Sequence, residues 1–161
     1  METEDRSFTA LPCKDFVEIL ASKAAVPGGG GASALVGSIG VALGHMVGSL
    51  TLGKKKYAAV EESIQRCQQQ ANALAKRLLD LMDEDARAFE PLSKAYGLPH
   101  ATPEETARKA QVMEQALLTA CGAPMEILRA CAEAIDLMAE YAAKGSRLAL
   151  SDAGAGAALL K

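Results

Sequence analysis

The sequence has 161 residues, half of them hydrophobic, and its 17 basic and 20 acidic residues give a net charge of −3. This length and composition suit one domain with a sizeable core and exclude a largely disordered chain. The small negative charge gives no general attraction to nucleic acid or acidic lipid, so any anion site must be local. The lack of tryptophan and the frequent Ala, Leu, Gln, Glu and Lys favour helices over strands.

The cysteine pattern predicts an intracellular protein without structural disulfides. Cys13, Cys67, Cys121 and Cys131 show no CxxC or CxxH spacing, and the sequence does not open with a signal-peptide pattern. We therefore expect four reduced, small core residues and a cytoplasmic location.

Apolar residues recur at three- and four-residue intervals along most of the chain, and proline, glycine and capping residues separate the segments. The predicted helices are residues 11–24, 32–52, 58–92, 103–119, 124–143 and 153–161. No segment alternates with a period of two, so we expect an all-α fold, an antiparallel helical bundle.

Three of these helices have specific start signals. Thr102-Pro103-Glu104-Glu105 combines an N-cap, a first-turn proline and a capping-box glutamate. Pro124 either opens a new helix or kinks a continuous one. Ser151-Asp152 is a candidate N-cap for the last helix. The helix over 124–143 is expected to point these residues inward: Ile127, Leu128, Cys131, Ile135, Met138 and Tyr141.

The segment 58–92 carries one apolar stripe that a carboxylate interrupts. The stripe consists of Val60, Ile64, Cys67, Ala71, Leu74, Leu78, Leu81 and Ala88. Asp85 occupies the stripe position between Leu81 and Ala88, so we expect its side chain to be buried. Asp83 and Glu84 lie off the stripe and are expected to be solvated. A buried aspartate either does chemistry or is satisfied by a lysine or a neighbouring helix end.

The segment 32–52 is apolar on all sides and long enough to cross a membrane, with Lys54-Lys55-Lys56 as a basic stop. The other interpretation, which we favour, is a buried central helix, because His45 lies near its middle and the amphipathic helices need a partner. Its four interior glycines predict close backbone approach by another helix, within the subunit or across a two-fold axis. These glycines are Gly37, Gly40, Gly44 and Gly48.

Both ends of this helix have features of an anion site. Gly28 to Gly31 can adopt left-handed conformations and turn their amide hydrogens towards a bound group at the helix N-terminus. Lys54, Lys55 and Lys56 follow Gly53, so they either complement the helix dipole or bind an anion.

Four motifs in order, "PGGG", "LTLGKKKY", "DEDARAF" and "SDAGAGA", resemble the cyclodeaminase family, which comprises formimidoyltetrahydrofolate cyclodeaminase domains and methenyltetrahydrofolate cyclohydrolases. The resemblance spans nearly all of residues 1–161 and implies one all-helical cyclodeaminase-like domain. It further implies a homodimer that binds a tetrahydrofolate derivative near the subunit interface. It implies no metal, and no cofactor beyond the tetrahydrofolate substrate.

The sequence departs from the family pattern in three places. Gly31 stands where serine is usual, Ser49 stands where asparagine is common, and the chain ends at Lys161, before a further helix of the relatives. Both substitutions are expected to shorten hydrogen-bonding reach. These departures support the alternative of a catalytically degenerate module that binds folate or only dimerises.

The resemblance assigns roles to particular residues. Asp85 is the first catalytic candidate, since burial raises a carboxylate pKa towards neutrality. Asp152 is the second, although a plain helix cap explains it equally well. The expected substrate-binding residues are Gly28, Gly29 and Gly30, for close backbone approach, and Lys54, Lys55 and Lys56, for the glutamate carboxylates of folate. The reaction is either cyclisation of 5-formiminotetrahydrofolate with ammonia release or hydrolysis of 5,10-methenyltetrahydrofolate to 10-formyltetrahydrofolate.

Overall fold

The structure, a computed structural model, describes residues 7–161, and over this range it contains helices and no strand. The α-helices are α1 (Cys13–Leu20), α2 (Gly29–Ser49), α3 (Glu61–Tyr96), α4 (Pro103–Ala120), α5 (Gly122–Lys144) and α6 (Leu150–Leu159). Short 3-10 helices cover Phe8–Ala10, Lys55–Val60 and Arg147–Ala149. The predicted all-α fold class is confirmed.

The chain divides into two compact units. Of the described residues, unit 1 comprises 7–32 together with Asp80–Glu126, and unit 2 comprises Ser33–Leu79 together with Ile127–Lys161. The helices α2, α3 and α5 each contribute residues to both units. The expectation of one cyclodeaminase-like domain stays a prediction.

The start signals of α4 and α5 act as the sequence suggested. The Thr102 side chain accepts the Glu105 N–H at 3.2 Å, and the Glu105 carboxylate accepts the Thr102 N–H at 3.2 Å, which completes the capping box. Helix α4 ends at Ala120 with Cys121 as its C-cap, and Pro124 lies in the first turn of α5, which begins at Gly122. Pro124 therefore opens a new helix, where its missing N–H has no intrahelical partner to lose.

Unit 2 pairs α3 with α5 in antiparallel register. Lys144 Nζ donates to Ser63 Oγ at 2.9 Å, and Arg77 contacts the carboxylate of Glu133 at 3.5 Å. As the residue number rises along α3, the number of the contacting residue in α5 falls, so the two helices run in opposite directions.

The interior glycines of α2 face the core of unit 2. A Cβ added at any of Gly37, Gly40, Gly44 or Gly48 would lie within 2.9 Å of an atom from another helix. Gly40 and Gly156 face each other, and an added Cβ at either position would press on the carbonyl oxygen of the other. These glycines serve packing within the subunit, since a larger residue would push the helices apart.

The opposite side of α2 is uncovered in the single chain. The exposed apolar residues on this side are Val36, Ile39 and Met46 in α2 and Leu50 directly after it, and they keep 39–47% of their surface. The expectation of a helix buried all round is therefore wrong for this side, because the glycine face alone makes the close contacts. By length and composition, α2 is also the one helix among residues 7–161 that could cross a membrane.

Unit 1 has its own apolar cluster where α3 meets α4. Leu92, Ala95 and Ala116 are buried there, with Phe89 and Met113 packed against them. The side chain of Lys109 caps the C-terminal end of α3, where its Nζ donates to the carbonyl oxygens of Tyr96 at 2.8 Å and Leu98 at 2.9 Å. A cation at these carbonyls complements the negative end of the helix dipole.

Two expectations about buried residues are wrong in part. Leu128 is 64% exposed, because it follows buried Ile127 by about 100° around α5 and so faces away from the core. Cys67 is buried, but Cys13 at the start of α1 and Cys121 between α4 and α5 are exposed. All four cysteines are free thiols, as expected.

Candidate active site

Asp85 lies on the apolar stripe of α3, as the periodicity predicted. Its neighbours Leu81, Met82 and Ala86 are buried, and Asp85 itself is half-buried. Its carboxylate crosses to the start of α2, where Oδ2 accepts the backbone N–H of Gly31 at 2.9 Å. Asp85 thus supplies the acceptor that a helix N-terminus requires, from another helix of the same unit.

The glycine run forms the first turn of α2 against this carboxylate. An added Cβ at Gly30 would lie within 2.6 Å of both Asp85 carboxylate oxygens, whereas Gly28 and Gly29 have nothing within 4 Å of an added Cβ. The absence of a side chain at Gly30 therefore lets the Asp85 carboxylate approach the backbone of α2. Gly28 and Gly29 leave open space beside the backbone.

Two details of the glycine prediction are corrected. Among the described residues only Gly53 has a positive φ, at 72°, so the run from Gly28 to Gly31 does not use left-handed conformations. The Gly31 amide, expected to face a bound anion, donates to Asp85 instead. The Asp85 carboxylate therefore occupies the place that a bound anion was expected to take, because amides at a helix N-terminus attract any nearby carboxylate.

The pKa of Asp85 is raised above its ordinary value. Burial is the larger cause, because it penalises the charged form, and the Gly31 N–H bond acts in the opposite direction. The carboxylate is thereby a stronger base than an exposed aspartate when ionised, and it holds its proton to a higher pH. Both properties suit a group that takes up and returns a proton.

The three lysines form an exposed segment just after α2. Lys54 precedes the 3-10 helix Lys55–Val60, and all three side chains are exposed. Within residues 7–161 none of them pairs with a carboxylate. They remain available to an anionic ligand.

The structure joins this lysine segment to the loop before "SDAGAGA". Thr51 Oγ1 accepts the Ser146 N–H at 2.8 Å, and Tyr57 Oη accepts the Arg147 N–H at 3.3 Å. The pKa of the half-buried Tyr57 is lowered, chiefly by the Arg147 N–H, with smaller contributions from Ser146, Lys56 and Lys54. Two motifs separated by about ninety residues therefore share one surface of unit 2.

Asp152 lies at the end of the same connection but does not cap its helix. The N-cap of α6 is Ala149, with no side-chain hydrogen bond, and Asp152 is half-buried in the first turn. The predicted Ser151-Asp152 cap is wrong because the 3-10 turn Arg147–Ala149 leads directly into α6, which begins before Ser151. A carboxylate in a first turn is still favoured by the helix dipole.

The candidate site residues thus form two groups. Asp85 and the glycine run belong to unit 1, whereas the lysine segment and Asp152 belong to unit 2. Each group is assembled from sequence positions far apart, as expected for a site rather than for a single local motif.

A family profile for formiminotransferase-cyclodeaminase matches residues 12–161. The chain belongs to the formiminotransferase-cyclodeaminase family. The match includes both groups of candidate site residues, and it confirms the family that the four motifs predicted.

Individual relatives of this family are named as folate enzymes. The methenyltetrahydrofolate cyclohydrolase of Methylorubrum extorquens is 43% identical over 139 residues, which are 86% of this chain and 67% of that protein. The formimidoyltransferase-cyclodeaminase of Sus scrofa is 32% identical over 148 residues, which are 92% of this chain and 27% of that protein. This chain therefore spans about two thirds of the first relative and about a quarter of the second.

A solved structure of the family has the same fold. The crystal structure of formiminotetrahydrofolate cyclodeaminase from Thermotoga maritima matches with a TM-score of 0.81 at 29% identity, over 94% of this chain and 71% of that one. These names support the prediction of a folate one-carbon enzyme.

A polar chain in unit 2 of this family member, which runs from buried Tyr141 to exposed Ser49, was not predicted. Tyr141, 1% exposed, donates to Gln68 Oε1 at 2.7 Å, and Gln68 Nε2 donates to Ser49 Oγ at 3.0 Å. His45 Nδ1 lies 3.4 Å from the same hydroxyl. Ser49 thus keeps a hydrogen-bonding role despite its shorter side chain, and burial raises the pKa of Tyr141. The sequence contains one signal for this polar chain, which is Gln68, a polar residue directly after Cys67 of the apolar stripe.

Asp83 was also misjudged. Its carboxylate accepts the Ser7 hydroxyl and the Phe8 N–H, each at 2.7 Å, so it anchors the first 3-10 helix instead of being solvated. Glu84 is exposed, as expected. In the described part of the chain, no group of three or more His, Cys, Asp or Glu residues is arranged to hold a metal ion.

Proposed function

We propose that the chain hydrolyses 5,10-methenyltetrahydrofolate to 10-formyltetrahydrofolate, with Asp85 as the acid–base group. The observation that carries this proposal is the half-buried Asp85 carboxylate, held at the N-terminus of α2 beside open backbone at Gly28 and Gly29. The relative named as a cyclohydrolase, at 43% identity, supports the hydrolytic direction.

Hydrolysis requires three proton transfers between the atoms around the methenyl carbon, and Asp85 takes part in two of them. The Asp85 carboxylate takes a proton from water as the water oxygen bonds to the methenyl carbon, which gives a neutral carbinol between the two nitrogens. The protonated Asp85 then delivers that proton to N5 as the bond from carbon to N5 breaks. The carbinol hydroxyl loses its proton to solvent while the formyl C=O forms, so the net products are 10-formyltetrahydrofolate and one proton.

Cyclodeamination is the second candidate, supported by the solved cyclodeaminase with the same fold. There N10 attacks the carbon of the protonated formimino group, Asp85 removes the N10 proton and passes it to the amino nitrogen, and that nitrogen leaves as ammonia while the positive charge remains on the 5,10-methenyl product. One carboxylate of raised pKa serves both reactions because each passes through a tetrahedral carbon flanked by nitrogens.

The other candidate residues have supporting roles in this proposal. Lys54, Lys55 and Lys56 bind the glutamate carboxylates of folate, since their charges are exposed and unpaired among the described residues. Asp152 is retained as a second carboxylate that acts on the substrate. The acid–base chemistry needs no group beyond the tetrahydrofolate, so a chelator should leave turnover unchanged.

The proposal includes a homodimer in the cytoplasm. The exposed face of α2 presents Val36, Ile39, Met46 and Leu50, and with Leu43 between them the spacing alternates three and four residues. That spacing is the one by which two helices pack along a seam. A second copy of the chain would cover this face by the isologous contact typical of dimers.

The direction of the reaction is tested with the wild-type protein, by following the absorbance band of 5,10-methenyltetrahydrofolate. Accelerated decay of that substrate supports the cyclohydrolase, and appearance of the band from 5-formiminotetrahydrofolate supports the cyclodeaminase. If a folded protein changes neither rate, the chain is a folate-type scaffold without catalysis, and the proposed reaction is wrong.

A further inference from the structure

Two aspartates on one turn of α3 bind two positions in the N-terminal part of the chain. The Asp83 carboxylate accepts the Ser7 hydroxyl and the Phe8 N–H, each at 2.7 Å. Two residues further along α3, the Asp85 carboxylate accepts the Gly31 N–H at 2.9 Å. The segment from Ser7 to Gly31 is therefore bound at both of its ends to the same turn of one helix.

This segment, residues 7–31, contains α1, and we call it the N-terminal strap. It belongs to unit 1, as do both aspartates. Phe8 and Phe16 are 7% and 4% exposed, and their rings meet edge to face with 6.4 Å between the centroids. A buried aromatic pair adds packing energy to the hydrogen bonds at Asp83, so the start of the strap is fixed against α3.

The other end of the strap lies against the turn of α3 that carries Asp85. Pro27 is buried, and its Cβ and the Met82 carbonyl oxygen both lie within 3.6 Å of a Cβ added at Gly31. A Cβ added at Gly30 would meet the Asp85 carboxylate itself. This end of the strap therefore contributes to the half-buried position of Asp85.

The charged residues around Asp85 are directed to solvent or already bound. Helix α2 contains no Asp, Glu, Lys or Arg. On α3, Glu84 and Arg87 are exposed, and Asp83 is bound to the strap. The charged residues of the strap itself are also exposed: Lys14, Asp15, Glu18 and Lys23. Burial is the larger cause of the raised pKa of Asp85, so the cover that the strap provides affects this pKa more than any neighbouring charge does.

We infer that Asp83 is a positioning residue for the reaction, because it holds the N-terminal strap against α3 and so keeps Asp85 oriented and partly shielded from water. This inference rests on the proposed function, which assigns the acid–base chemistry to Asp85. The bond from Gly31 weakens whenever Asp85 takes up a proton, since a neutral carboxyl group is a poorer acceptor than a carboxylate. The two bonds to Asp83 take no part in the proton transfer, so they hold the strap throughout the reaction.

The inference is tested by measuring the pKa of Asp85 in the substrate-free protein, through the NMR signal of its carboxyl carbon. Asp83→Ala removes the acceptor of both bonds to the strap. Asp83→Asn removes the same charge but keeps an oxygen for the Phe8 N–H and an amide group for the Ser7 hydroxyl. Thr102→Ala is the control for a general loss of stability, because Thr102 caps α4 in the same unit.

In Asp83→Ala the pKa of Asp85 should fall towards that of an exposed aspartate, because water reaches the carboxylate. The acid limb of the pH profile of kcat should move to lower pH with it, and kcat should fall about 10- to 100-fold as the carboxylate loses its orientation. Asp83→Asn should resemble the wild type in both measurements. Thr102→Ala should lower the thermal midpoint and leave the pKa of Asp85 unchanged.

An unchanged Asp85 pKa in a folded Asp83→Ala protein would overturn the inference. Equal shifts in Asp83→Ala and Asp83→Asn would also overturn it, because the lost charge would then be the cause rather than the released strap. An equal shift in Thr102→Ala would do the same, since it would show a general effect of lower stability. If Asp83→Ala does not fold, Phe8→Ala takes its place, because it removes the buried ring and keeps Asp83, and an unshifted Asp85 pKa there contradicts the role of the strap.

The pKa measurement needs no substrate, so it separates this inference from the proposed function. A shifted pKa in Asp83→Ala, together with a wild type that does not turn over 5,10-methenyltetrahydrofolate, would support the role of the strap and contradict the reaction. Turnover by the wild type, together with an unshifted pKa in Asp83→Ala, would contradict the role of Asp83 and leave the reaction standing.

Discussion

The Asp85 carboxylate accepts the backbone N–H of Gly31 at 2.9 Å, so one residue both caps α2 and supplies the candidate acid–base group. The two roles compete for the same oxygen atoms. Because Oδ2 is held by Gly31, the orientation of the carboxylate is fixed before substrate binds, which is the preorganisation that acid–base catalysis uses.

The raised pKa of Asp85 predicts a specific pH dependence of stability. The native state holds this proton more tightly than the unfolded chain, whose aspartate pKa is about 3.9, so it binds more protons between the two pKa values. The stability that Asp85 contributes is therefore complete below the unfolded pKa and is lost as the pH rises through the folded pKa. We expect the free energy of unfolding of the wild type, relative to Asp85→Asn, to fall as the pH rises.

This comparison is made by urea unfolding of both proteins at a series of pH values. Glu84→Gln provides the control, since Glu84 is exposed on the same helix turn. A difference that instead grows with pH would mean that the Gly31 bond and the helix dipole outweigh burial.

Adjacent glycines should respond in opposite ways to alanine. In Gly30→Ala the new methyl group would meet the Asp85 carboxylate, so we expect a loss of about 1–3 kcal/mol of stability and, from the displaced carboxylate, about 100-fold of activity. Gly29→Ala enters open space in the same helix turn and should gain up to about 1 kcal/mol. Unfolding and turnover assays on the pair check this, and equal behaviour would show that the carboxylate does not lie against Gly30.

The contact between α2 and α6 predicts a second pair. An added Cβ at Gly40 would lie 2.9 Å from the Gly156 carbonyl oxygen, a backbone atom with little room to move, whereas Gly154 has nothing within 4 Å. We expect Gly40→Ala to lower the thermal midpoint and Gly154→Ala to raise it slightly, as scanning calorimetry would show. Two unchanged midpoints would contradict the close packing of these helices.

The uncovered face of α2 predicts a concentration-dependent dimer. Ile39→Glu should shift the protein to monomers in analytical ultracentrifugation, because a carboxylate on an apolar seam would be buried without a partner. Val17→Glu, at an exposed valine of α1, is the control and should leave the dimer intact. A wild-type monomer that stays in solution without detergent would remove the dimer proposal, and a protein that needs detergent would favour a membrane helix.

The helical class and the half-buried position of Asp85 follow from sequence because they depend on local chemistry. The capping box at Thr102 needs only residues three apart, and the periodicity places Asp85 among buried neighbours. The resemblance named the right family, since four ordered motifs are jointly specific.

Other features depend on which residues meet, which the sequence pattern does not contain. The bond from Asp85 to Gly31 spans 54 positions, and the bond from Tyr141 to Gln68 spans 73. Likewise, the apolar composition of α2 gives no information on which side is covered. The side with the glycines is the one that packs against other helices. The exposure of Leu128 has a different cause, since helix geometry alone turns it about 100° away from buried Ile127.

The most direct test of the acid–base role is turnover by Asp85→Asn, followed through the absorbance of 5,10-methenyltetrahydrofolate beside wild type and Glu84→Gln. Asparagine keeps an oxygen for the Gly31 N–H but cannot carry the proton, so the account predicts a kcat about 100- to 10,000-fold lower with KM changed only a few-fold. Glu84→Gln should match the wild type. Undiminished turnover by a folded Asp85→Asn protein would show that Asp85 only caps α2.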